Sequence, residues 1–414
     1  MSRIRTFTLE CGMPLLVESM PGVRSLGLTW LVPAGSARDP EARQGASAIW
    51  AEMLMRGAGE LDSRAQADMF DRLGAARGAG VETFYLGLSG TLLGARLGEV
   101  LPLVADMVRR PRFDESALGP ARDLCLQAID AQKDDPQERL MVLLRARHAP
   151  PPINRSPLGT REGIERVTAS EVKSLWHERA RPVGSILALA GEVNADDAAR
   201  RLDGLLRGWS GVAPAVSWGR PTTRGYHHER EDANQTHIAV AYDAPPEPDA
   251  GAWPERLAVA ALSDGMSGRL FSEVREKRGL CYSVHASYAA DAKYGRVVAY
   301  SGTTPPRAQE TLDVLLSELK RITTAAGRMT EDEFRRAAIG LKSRLVMSGE
   351  STSGRAAALA RDWHKLGRAR SLEELAGEID ALTLPRINEH LERRSLGEFT
   401  VATLGPEALT LPVV

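Results

Sequence analysis

Few residues in this chain could hold a metal ion or attack a carbonyl, and they are badly spaced for either task. The eight histidines are His148, His177, His227, His228, His237, His285, His364 and His390. No two lie three to five positions apart, so no helix can present a paired imidazole face to an ion. His227 and His228 are adjacent, and in a strand they point to opposite faces. Cys11, Cys125 and Cys281 are widely separated among apolar neighbours and form no CxxC. An odd, sparse set of this kind reads as small buried hydrophobes in a reducing compartment. No triad motif, P-loop or strand-linked GxGxxG is visible either. On residue chemistry alone, the isolated chain carries no hydrolytic machinery.

The elements that would position any site come from bulk properties and from a repeat. At 414 residues the chain exceeds what one core usually organises, so two or more domains are expected. Lys+Arg number 53 against 54 Asp+Glu, a balance that argues against nucleic-acid binding. No run approaches 18 apolar residues, so no membrane span is expected. The N-terminal stretch Met1–Phe7 has basic residues but no apolar segment behind them of signal-peptide length, which places the protein in the cytoplasm.

The tripeptide Ser89-Gly90-Thr91 returns 212 residues later as Ser301-Gly302-Thr303. Its context returns with it. A strand-like run precedes each copy, and a helix with leucines at helical spacing follows: Leu93, Leu97, Leu101, Val104 and Val108, then Leu312, Leu315, Leu316, Leu319 and Ile322. An acidic helix start comes next in both halves, Asp114-Glu115 and Thr330-Glu331-Asp332-Glu333, the latter with capping-box spacing. Each half closes on an apolar strand, Ile186–Ala190 and Phe399–Leu404. The Gly- and Pro-rich stretch 209–222 reads as a linker. The expectation is an α+β protein of two repeated domains, 1–208 and 223–414, each a mainly antiparallel sheet packed with helices.

Several landmarks fall in order on this plan. They are Gly35-Ser36-Ala37-Arg38-Asp39, Gly45 through Met53-Leu54, Asp106-Met107-Val108 with Pro111-Arg112-Phe113, and Pro157-Leu158-Gly159. In the second half they are Ser267–Phe271 and Arg275 through Tyr282. Together they resemble the pitrilysin/insulinase family of zinc peptidases, whose active members carry the inverted HxxEH motif. The resemblance implies a processing-peptidase-like (LuxS/metallopeptidase) fold. Aligned on Gly45 and Met53-Leu54, it puts HxxEH onto Ala48-Ile49-Trp50-Ala51-Glu52: Ala48 and Glu52 replace the histidines, and Ala51 replaces the general base. The third ligand falls near Gln127 and Ala128, neither of which can serve. A catalytic zinc needs about three donors and an open water position, so no metal is expected in this chain. The resemblance also implies that Arg275 and Tyr282 hydrogen-bond substrate backbone, both being good donors to a carbonyl oxygen.

Some bacterial relatives are heterodimers in which one subunit keeps HxxEH and the other keeps the Arg/Tyr pair. The sequence resembles the second kind. It is expected to be a subunit with no catalysis by itself, binding peptide and completing the active site of an HxxEH-bearing, zinc-holding paralogue. The alternative is a structural core-type subunit with no role in proteolysis.

Overall fold

The computed structural model describes residues 3–220 and 224–411. Met1 and Ser2 of the stretch read for a leader, and positions 221–222 of the expected linker, therefore lie outside the described residues. Two sheets form the scaffold. The first is built from β1 (Arg3–Thr8), β2 (Pro14–Ser19), β3 (Ser25–Val32), β6 (Ala76–Val81), β7 (Leu86–Leu93) and β8 (Ile186–Gly191), in the order β1-β2-β8-β3-β7-β6. A two-residue ladder, β4 (Gly57–Ala58) with β5 (Leu61–Asp62), stands apart from it. The second is built from β9 (Gly225–Arg230), β10 (Thr236–Ala244), β11 (Cys281–Ala290), β12 (Gly295–Thr303) and β13 (Thr400–Gly405), in the order β11-β12-β10-β13-β9.

The sequence repeat becomes a repeat of topology. β6-β7-β3-β8-β2 and β11-β12-β10-β13-β9 are the same path: three antiparallel pairings, then one parallel pairing of β8 with β2 and of β13 with β9. The two Ser-Gly-Thr copies sit inside equivalent strands rather than after them. Ser89, Gly90 and Thr91 pair with Thr29, Leu28 and Gly27, while Ser301, Gly302 and Thr303 pair with Ile238, His237 and Thr236. The expected helices follow, Leu97–Arg109 and Ala308–Arg321, and then the long helices Glu115–Lys133 and Glu331–Gly349. The capping box at Thr330 and Glu333 forms as its spacing suggests.

The domain boundaries differ from the contiguous halves read in the sequence. Among the described residues, one compact unit comprises 3–131, 150–220 and 348–371, and the other comprises 132–149, 224–347 and 372–411. The reason is that both faces of each sheet are apolar. In the first unit, Leu15, Val17, Leu26, Leu28 and Trp30 face a core made with the unit's own helices. On the other face, Leu16, Leu31, Ile186, Ala188 and Ala190 pack against Ala356, Leu359 and Ala360 of helix Thr352–Leu366, from the second half of the chain. In the second unit, Ala239, Ala241, Ala402 and Leu404 are covered by Leu140 and Leu144 of helix Pro136–His148, from the first half. Each unit thus takes one covering helix from the other half of the sequence. Residues 209–220 of the expected linker belong to the first unit.

Helix Thr352–Leu366 is fixed by charge as well as by burial. Arg355 Nε and Nη2 donate to one oxygen of Glu18 at 2.9 and 2.6 Å, and both side chains are at most 2% exposed. The helix meets β3 closely, since a Cβ on Gly27 would stand 2.3 Å from the Thr352 carbonyl oxygen. A charge left alone at such a site is costly, so Arg355→Ala is expected to lower the unfolding free energy by about 3–5 kcal/mol in urea denaturation. Arg355→Met combined with Glu18→Leu should recover most of that loss. An Arg355→Ala effect below about 1 kcal/mol would show that the pair does not hold the helix.

Candidate functional site

In the second unit the chain turns sharply between a helix and the edge strand β11. Phe271–Glu276 is π-helical, with the Lys277 N–H reaching back five residues to the Ser272 carbonyl at 3.0 Å. One-turn π segments often mark functional sites, because they widen a helix at one point. Gly279 follows at φ +60°, a left-handed conformation that glycine adopts without strain. Its N–H closes on the Arg275 carbonyl at 2.9 Å, and the Leu280 N–H closes on Val274 at 3.0 Å. Thr303 anchors the exit by donating its hydroxyl to the Leu280 carbonyl at 2.5 Å.

The strand then opens on a bulge. Cys281 pairs with Thr303 and Ser283 pairs with Gly302, so Tyr282 is the extra residue. A bulge turns its side chain away from the pleat, and Tyr282 is 82% exposed. Arg275, seven residues earlier, lies over this ring with its guanidinium carbon 5.2 Å from the centroid, and over Phe271 at 4.9 Å. The structure therefore brings Arg275 and Tyr282 together. Among the described residues no carboxylate pairs with Arg275; its basic neighbours Lys277 and Arg278 are both taken by Glu273. Stacked between two rings, the guanidinium keeps its edge N–H groups free to donate. Among the described residues no strand pairs with the outer side of β11, where the Ala286 N–H donates to the Ser263 hydroxyl at 2.7 Å, so the phenol and the guanidinium stand at an edge strand.

The motif helix Ala46–Leu54 lies in the first unit. Asp39 caps it, accepting from the Gly45 N–H at 2.8 Å, the Ser47 N–H at 3.1 Å and the Ser47 hydroxyl at 2.9 Å. Ala48 is buried, while Ala51 and Glu52 are half-buried. Gln127 and Ala128 are exposed on helix Glu115–Lys133. Two residues earlier, buried Cys125 senses this helix: desolvation, followed by the charge of Glu52, pushes its thiol up to about 12. Such a thiol stays protonated and makes a poor nucleophile. Only the fold brings Cys125 within range of the Glu52 charge, since nothing in their sequence spacing signals it.

The fit to zinc is poor. Ala48, Ala51, Gln127 and Ala128 offer no anionic or imidazole donor, which leaves one carboxylate. Among the described residues no group of three or more His, Cys, Asp or Glu is placed to hold a metal ion. His228 instead bonds the Thr403 hydroxyl at 2.9 Å within the second sheet.

Fold and site together define a peptidase-like α+β scaffold without a metal-ligand set. Two family models cover most of its length: "Insulinase (Peptidase family M16)" matches residues 16–156, and "Peptidase M16 inactive domain" matches residues 166–341. An uncharacterised zinc protease of Mycobacterium leprae is 27% identical, covering 98% of this chain and 93% of its own. Another from Bacillus subtilis is 23% identical, covering 97% and 98%. Among solved structures, the "peptidase M16 inactive domain" of Pseudomonas fluorescens superposes with a TM-score of 0.86 at 21% identity, covering both chains fully. A protease from Helicobacter pylori gives 0.88 at 16% identity, covering 98% of this chain and 100% of its own. The chain belongs to the insulinase-type (M16) peptidase family. No described helix is long and apolar enough to cross a membrane.

Burial raises the Asp39 carboxyl to about 6, against the opposing pull of Gly45, Ser47 and Arg179. The folded chain thus holds this proton more tightly than the unfolded chain. Its contribution to stability therefore falls as pH rises from about 4 to about 6, and levels off above that. The change amounts to about 3 kcal/mol in stability-versus-pH curves from chemical denaturation. Asp39→Asn should lack this slope; parallel curves for the two proteins would rule the assignment out.

Proposed function

We propose that this chain is the peptide-holding, non-catalytic subunit of a heteromeric zinc peptidase. Its partner would be an HxxEH-bearing paralogue that carries the zinc, and the two chains would complete one active site on a peptide substrate. The observation that carries this reading is the stacking of Arg275 on Tyr282, an exposed residue of a bulge, at an open strand edge. An extended peptide could add to that edge through its backbone, as peptides do at free sheet edges. Arg275 and Tyr282 would then donate to a substrate carbonyl, where charge develops during attack by a metal-activated water. Support also comes from what is missing. The motif helix has lost its donors while the donor pair is kept, a division of labour that suits a complementary subunit better than a decaying one.

The purified chain is expected to hold far less than one zinc per molecule and to cleave no peptide. Activity should appear on mixing with the HxxEH paralogue. Arg275→Ala should reduce the turnover of that complex by about 100-fold or more, and Tyr282→Phe by less. Unchanged turnover in both variants, with assembly intact, would sink the clamp.

A second reading is favoured by one observation. A chain of "Complex III2 from Candida albicans" shares the fold with a TM-score of 0.84 at 16% identity. If this chain is instead a structural component of a complex, it should co-purify tightly with a partner while Arg275 and Tyr282 prove dispensable.

A further inference from the structure

Beneath the capped end of the motif helix lies a cavity of about 260 Å³, confined to the first unit and lined by Arg38, Arg155, Arg179, Glu178, Pro152 and the wall segment 214–217. We propose that it is an oxyanion site, taking a carboxylate or phosphate group between the three guanidinium groups. The inference does not rest on the Arg275–Tyr282 reading, which concerns the other unit.

Three observations carry it. First, Arg179 is only 6% exposed, and its Nη1 has no hydrogen-bond partner. Its nearest buried carboxylate, Asp39, stands at 3.9 Å, beyond hydrogen-bond reach, because both Asp39 oxygens are committed to capping. A buried guanidinium without an acceptor is rare in native structures, since the desolvation cost goes unrecovered. Second, Arg38 converges on the same space. One of its terminal nitrogens bonds the Pro214 carbonyl, but its Nε is also unpartnered. Burial is the main cause that lowers the Arg38 pKa, against Tyr85 and with Arg179 adding to it, and burial lowers that of Arg179 against Asp39 and Glu178. Third, guanidinium groups dominate the lining, with Asp39 3.9 Å from Arg179 and outside it. Arg155 is engaged with Glu41 at 2.6 Å, and the only carboxylate in the lining is exposed Glu178.

A water molecule could satisfy one of the two unpartnered nitrogens, whereas an oxyanion carries several acceptor oxygens. The cavity is also several times the roughly 30 Å³ that one water occupies in the liquid. Pro152 and Pro214 in the wall have no N–H, so recognition falls to the guanidinium forks, whose planar donors match carboxylate and phosphate oxygens.

Inorganic phosphate, titrated by calorimetry at constant ionic strength, should bind saturably at one site per chain. Arg179→Gln is expected to weaken binding by about tenfold or more. Ser217→Glu, on the exposed wall, should do the same by placing a carboxylate at the mouth without removing a buried group, and it decides the matter if Arg179→Gln does not fold. A short peptide with a free C-terminal carboxylate, compared with its amide, separates the sources. Displacement of phosphate by the acid alone assigns the site to peptide ends, and displacement by neither assigns it to free anions. The proposal is overturned if neither probe binds the wild-type chain saturably, or if a folded variant binds phosphate within about twofold of wild type.

Discussion

The architecture follows from a sheet that is apolar on both faces. In each unit the helices close in sequence cover one face, and the residues on the other, such as Leu16, Leu31 and Ala188 or Ala239, Ala241 and Leu404, need a cover of their own. Leaving that surface in water would forgo about 25 cal/mol for each Å² of apolar area. The chain meets this demand by exchanging one helix between its halves. Because the exchanged helices must seat in register, the contact at Gly27 and the buried Arg355–Glu18 pair act as locating features as much as sources of stability. A buried ion pair contributes little net stability compared with an apolar replacement, so its value here lies in where it puts the helix.

The same economy of backbone explains the Arg275–Tyr282 pair. Neither residue is remarkable by type, and seven positions of separation would place them apart on a regular helix or strand. Three local departures bring them together: a π-helical turn, a left-handed glycine and a bulge that adds one residue to β11. Each departure is held by interior contacts, including buried Val274 and Leu280 and the Thr303 hydroxyl. The pair, half-buried Arg275 and exposed Tyr282, is therefore held from beneath, as the proposed contact with a peptide carbonyl would require.

In the first unit helix Ala46–Leu54 packs as a core helix. Trp50 packs edge-on against Trp176 and donates to the Val172 carbonyl at 3.0 Å, and Arg179 lies over its ring. Along its length the helix is mostly apolar or small, with Glu52 half-buried, while Asp39 caps its start.

The sequence by itself determined the repeat, the α+β class and the lack of metal-donor atoms at the aligned motif positions. Periodicity and turn chemistry are local properties, and Ala48, Ala51 and Gln127 lack donor atoms in any conformation. Resemblance also singled out Arg275 and Tyr282. What only the tertiary structure decided was whether those two meet, which residues compose each unit, and which charges are left without partners. Helices Pro136–His148 and Thr352–Leu366 read as members of their own halves because sequence pattern reports which face of a helix is apolar, not which sheet it will cover. Likewise, the approach of Cys125 to Glu52 and the gathering of Arg38, Arg155 and Arg179 depend on distances between segments up to 141 positions apart, which burial and packing fix and no local spacing encodes.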